Sequence, residues 1–104
     1  MRRFHISVST ADFDASLRDY TARLGMAPDA VVPGRYARWR TDLLNFTVSC
    51  KPGQPGGLVR HIGFEDEDAE GFREERDANG ITWEYFSEEE QRREIEERIG
   101  PLLK

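Results

Sequence analysis

The chain contains two histidines, and they sit at matching points of two segments that read as copies of one another. The first copy is Phe4-His5-Ile6-Ser7-Val8, followed by an Asp-led amphipathic stretch that closes at Gly25. The second is Arg60-His61-Ile62-Gly63-Phe64, followed by an acidic stretch that closes at Asn79-Gly80. His5 precedes Gly25 by 20 residues and His61 precedes Gly80 by 19. Apolar and polar residues alternate around each histidine, as in a strand with one apolar and one polar face. Two such strands in one fold can bring two imidazoles face to face, and neutral imidazole is a common ligand of divalent metals. His5 and His61 are therefore the first candidate site.

The flanking sequence supplies the other elements. Thr10 and Asp12 are candidate N-caps for a helix whose stripe is Phe13, Leu17, Tyr20 and Leu24, with Gly25 as its stop. Short β-like pieces follow at residues 30–32 and 36–40, separated by the turn signal Pro33-Gly34. Residues 43–50 read as a strand, and the Pro- and Gly-rich stretch 51–57 as a linker. Residues 58–65 form the second histidine strand. Asp66 and Asp68 can cap a second helix carrying Ala69 and Phe72. Residues 81–86 are rich in β-formers. A charged helix over residues 88–99 carries Glu88, Glu89 and Glu90 in its first turn, where the helix dipole favours them. The predicted order is β-α-β-β-β, linker, β-α-β-α, within one domain of 104 residues. Repeat one spans about 4–50, the linker 51–57, repeat two about 58–86, and the terminal helix about 88–99.

A net charge of −5 argues against nucleic acid, whose phosphates recruit basic surfaces. No run approaches the ~20 apolar residues of a bilayer span, so no membrane role is expected. The opening Met-Arg-Arg-Phe-His-Ile lacks the apolar core of a signal peptide, and a lone Cys50 forms no internal disulfide. A cytoplasmic location is expected by default. With 38% hydrophobic and 34% charged residues the chain has little apolar material to spare, and a homodimer is expected to cover its sheet edges.

His5-Ile-Ser-Val8, Asp12 to Tyr20, Leu24-Gly25, Arg35 to Trp39, Leu44 to Thr47 and His61-Ile-Gly-Phe-Glu65 resemble, in order and spacing, the vicinal oxygen chelate superfamily. That group includes glyoxalase, bleomycin-resistance proteins and extradiol dioxygenases. The resemblance covers roughly residues 4–72. It implies βαβββ modules that pair around a cleft, with metal ligands from the first strand of each module and a carboxylate from a last strand. His5 and His61 match the first-strand positions. Glu84, in Trp83-Glu84-Tyr85-Phe86, is the third-ligand candidate by residue type. By order its strand is the first after a helix rather than the third, and a solvent-facing place on an edge strand is the favoured reading for it. The last strand of the first repeat offers Asn45, Thr47 and Ser49, none of them a carboxylate. Tyr36, Arg38, Trp39 and Asn45 are candidate contacts to a small molecule. Arg35, Arg38, Arg40 and Arg60 could clamp a carboxylate or phosphate, although ordinary surface charge is favoured for them.

The expected fold is α+β, with paired glyoxalase-like repeats of which the second is truncated and ends in a helix. A ferredoxin-like sandwich is the alternative. The expected function is binding of an unidentified small molecule. A divalent-metal-dependent lyase, isomerase or dioxygenase using His5 and His61 is the alternative.

Overall fold

A computed structural model describes residues 2–103. Strand β1 spans Arg2–Ser9 and helix α1 Phe13–Leu24. Strands β2, β3 and β4 follow at Ala30–Val32, Tyr36–Arg40 and Leu44–Ser49. Then come β5 (Val59–Asp66), β6 (Arg73–Arg76), β7 (Thr82–Phe86) and helix α2 (Glu88–Arg98). Among the described residues the result is an α+β fold in which seven strands form one mixed sheet, ordered β2-β3-β4-β1-β5-β7-β6. Among the described residues, no helix is long and apolar enough to cross a membrane.

Local chemistry sets the first helix as its sequence suggests. The Asp12 side chain accepts from the Ala15 amide, and Gly25 closes the helix in the left-handed region at φ 70°. The helix packs over β3 and β4. Phe13 meets Ala37, Trp39 and Val48 there, with Leu17, Tyr20 and Phe46 around them. Tyr20, Trp39 and Phe46 interact edge to face, and Trp39 Nε1 donates to the Met26 carbonyl.

The second helix expected after Asp66 is absent. Residues 67–72 instead form a turn, and Arg73–Arg76 is an exposed edge strand. The reason is local. The Asp66 carboxylate accepts from the Asp68 amide in a turn, Gly71 sits at φ 77°, and the stretch has too few apolar residues to bury a helix face. Asp77 then accepts from the Asn79 and Ile81 amides and closes a tight β6–β7 connection. Without that helix, Phe4, Phe64, Trp83 and Tyr85 form a half-buried aromatic cluster on the outer face of β1, β5 and β7. Arg2 and Arg73 lie over the Phe64 and Tyr85 rings at 4.0 and 4.2 Å.

The pairing repeats across the chain. β1 is parallel to β4, which is antiparallel to β3; β5 is parallel to β7, which is antiparallel to β6. β1 and β5 pair antiparallel and join the two sets. Their register shifts beyond Ser7↔His61 to Val8↔Val59, so Arg60 is bulged out of the ladder. Val59 consequently falls on the face opposite His61, where strict alternation would have placed them together. The polar face of the sheet, bearing His5, Ser7, Asn45 and Thr47, is covered by α2. Ser87 caps that helix by accepting from the Glu90 amide, and Gln91 is its buried residue. A Val31–Leu103 bridge ties the end of the described chain to β2.

Candidate metal centre

Four strands contribute one row of residues on the polar face: Asn45 pairs with His5, His5 with Gly63, and Gly63 with Glu84. Gly63 permits the close approach at the centre of the row. A Cβ there would stand 1.8 Å from the Glu84 carbonyl oxygen. His61, two residues before Gly63 on the same face, turns toward both neighbouring strands. Its Nε2 lies 3.0 Å from His5 Nε2 and 2.9 Å from Glu84 Oε1. The three ligand atoms all fall within 4.8 Å of one another. Bonds of about 2.0–2.2 Å to a shared ion would separate neighbouring ligand atoms by roughly 3–3.5 Å. Glu84 is not at an edge, because β6 lies outside β7, and its side chain is 14% exposed.

A buried network orients His5, which is 2% exposed. Its Nδ1 lies 3.0 Å from both the backbone carbonyl and Oδ1 of Asn45. The Asn45 amide is held from two sides. Its Nδ2 donates to the Glu65 carboxylate at 2.9 Å, and its Oδ1 accepts from Gln91 Nε2 at 3.1 Å. Gln91 is held in turn by Arg38 Nη1, which donates to its Oε1. With Oδ1 facing Nδ1, the ring carries its proton on Nδ1 and keeps the Nε2 lone pair free toward His61 and Glu84. Burial, reinforced by His61, lowers the His5 pKa to about 4, against the opposing pull of Asn45 and Glu84. Burial alone would raise the Glu65 pKa. The hydrogen bonds from Arg40 and Asn45 and the charges of Arg40 and Arg3 outweigh it and hold the carboxyl below its usual range.

The group opens onto a cavity of about 100 Å³ between sheet and α2. Tyr36, Thr47 and Ser49 line it from the sheet, Ile95 and Ile99 from the helix, and Phe72 and Phe86 from the far side. Phe72 and Phe86 stack with ring centroids 5.7 Å apart, and Phe86 stands edge-on to His5.

The structure thus gathers His5, His61 and Glu84, and places Tyr36 on the cavity beside them. Trp39, Asn45 and Arg38 lie away from the cavity wall. Trp39 is fully buried under α1 on the opposite face. Asn45 is fully buried and spends its amide on His5, Glu65 and Gln91. Arg38 is buried and held by Asp29, Glu88 and Gln91. Arg35 donates to the Ile99 carbonyl, Arg40 grips Glu65, and Arg60 lines the cavity. Sequence reasoning missed Glu65 and Gln91. Alternation along His61, Gly63 and Glu65 could have marked Glu65 as facing the same side, whereas no local signal marks Gln91. Searches against protein-family models and against curated proteins found no match to the sequence.

Proposed function

We propose that the chain is a small-molecule-binding protein built around a single divalent metal ion held by His5 Nε2, His61 Nε2 and Glu84. The observation that carries this reading is the convergence of these atoms, 3.0 and 2.9 Å apart, at the head of one cavity. Two imidazoles and one carboxylate suit a first-row divalent ion and leave coordination positions open. Asn45 supplies the ring-orienting hydrogen bond that metal-bound histidines usually have. An ion there would supply Lewis-acid polarisation of an oxygen on the bound molecule. The chain's own residues would orient His5, keep its Nε2 free and hold apolar side chains around the ligand.

The repeated pairing supports a reading as two vicinal-oxygen-chelate-like halves, the second shortened by a helix and a strand. On that reading β7 corresponds to β4, the closing strand of the first half. Glu84 then occupies in the second half the register position that Thr47 occupies in the first, since Ser7 pairs with Thr47 and Gly63 with Glu84. A metal-dependent lyase, isomerase or dioxygenase remains the catalytic form of the same reading.

The test is metal content after reconstitution under anaerobic conditions with iron, manganese, cobalt, nickel or zinc. About one ion per chain is expected for the wild type, with loss in His61→Ala and Glu84→Ala. Wild-type protein that retains no stoichiometric ion from any of the five sinks the reading.

A further inference from the structure

Among the described residues, two cations on the cavity wall form no ion pair. They are Lys51 and Arg60, which line the cavity together with His5, His61 and Glu84. The arginines elsewhere on this face differ. Arg3 and Arg40 share Glu65, and Arg38 is held by Asp29 and Glu88. Of the other charges on the wall, Glu94 pairs with Arg98 and Glu84 lies against His61, so the cations outnumber the carboxylates by one.

The position of Arg60 is built into the sheet. The bulge between β1 and β5 takes Arg60 out of alternation, so it and His61 face the same cavity although they are adjacent in sequence. Its Nη1 donates to Ser49 Oγ at 3.1 Å, leaving other guanidinium donors open. A second feature points to a missing partner. The Tyr36 hydroxyl, on the same cavity and 3% exposed, is buried without a hydrogen-bond partner. Burial raises its pKa, so the phenol keeps its proton and can donate. An unsatisfied buried hydroxyl is costly unless a ligand or water meets it.

We propose that this cavity recognises a small oxyanion, a compound bearing a carboxylate or phosphate group, with Arg60 and Lys51 receiving its charge and the Tyr36 hydroxyl donating to it. The inference rests on the metal reading for the other end of the ligand. Arg60 is its specificity-determining residue.

The experiment titrates cobalt-loaded protein with inorganic phosphate, acetate and imidazole, following heat and the cobalt absorption band. Imidazole is an uncharged probe of the open metal position. Arg60→Gln and Lys51→Gln are each expected to weaken the anions by about tenfold or more and imidazole by less than about twofold. Arg18→Gln, on the exposed face of α1, is expected to change neither. Comparing phosphate with acetate identifies which oxyanion fits. Absence of anion binding to the wild type, unchanged anion affinity in Arg60→Gln, or an equal loss for imidazole would overturn the proposal. If the wild type takes up none of the five ions, the metal reading fails by itself, and the phosphate titration is repeated on metal-free protein. Arg60-dependent binding there would support the cationic subsite, and absence of binding would overturn it.

Discussion

His5 is a titratable group that folding holds neutral. In the unfolded chain its imidazole takes a proton near pH 6.5, whereas in the fold burial delays this to about pH 4. Between those values the unfolded state binds more protons than the native state. The stability contributed is therefore complete above about pH 6.5 and is lost as pH falls toward 4. For metal-free protein, a loss of the order of 3 kcal/mol across that window follows from the shift to about 4. Urea unfolding of wild type and His5→Gln between pH 7.5 and 4.5 measures it. The wild-type slope should exceed the variant's by about 1.4 kcal/mol per pH unit, one proton's worth. Parallel slopes would mean that His5 is not held neutral. The histidine pair was legible because the flanking alternation declares which face each ring takes. The task of Asn45 was not. An asparagine on a cleft-facing strand reads equally as a ligand contact, and only its partners Glu65 and Gln91, 20 and 46 residues away, assign it to His5.

At the scale of elements, the contact of β5 against β7 depends on the absence of a side chain at Gly63. Adding a methyl group at Gly63 drives a Cβ to 1.8 Å from the Glu84 carbonyl oxygen, a backbone atom that cannot turn aside. Gly63→Ala is expected to cost about 2–3 kcal/mol, at the upper end of overpacking, through separation of the two strands. A lower urea midpoint with unchanged denaturant dependence would register this. A cost under about 0.5 kcal/mol would contradict the close approach. The same strands show what local patterns can reveal. Helix α1 was legible because cap, stripe and Gly25 agree along one continuous segment. The region after Asp66 offered a cap without a stripe, and the cap was used to make a turn. β7 was recognised as a strand from its β-formers, but its place inside the sheet follows from parallel pairing with β5, which leaves no local trace. The bulge at Arg60 is equally silent, because the shift depends on how β1 meets β5.

For the molecule as a whole, the candidate metal centre lies where the two sets of strands meet. His5 comes from β1, whereas His61 and Glu84 come from β5 and β7, so a bound ion would tie the N-terminal half to the C-terminal half. The unfolded chain has no preformed triad, and an ion that binds only the native state stabilises it by mass action. At an ion concentration about 100 times the dissociation constant, this amounts to roughly 2.7 kcal/mol. A domain of this size shifts its melting temperature by about 4–8 °C per kcal/mol. Heating wild-type protein with excess zinc or cobalt should therefore raise Tm by about 10 °C or more over the chelator-treated sample. His61→Ala removes the central ligand, the one within 3.0 Å of both others, and should reduce the shift to about 2 °C or less. An equal shift in both proteins would put the ion on other groups, such as the acidic residues of α2. A full shift in wild type that disappears in His61→Ala would show that the two halves are fastened through this site.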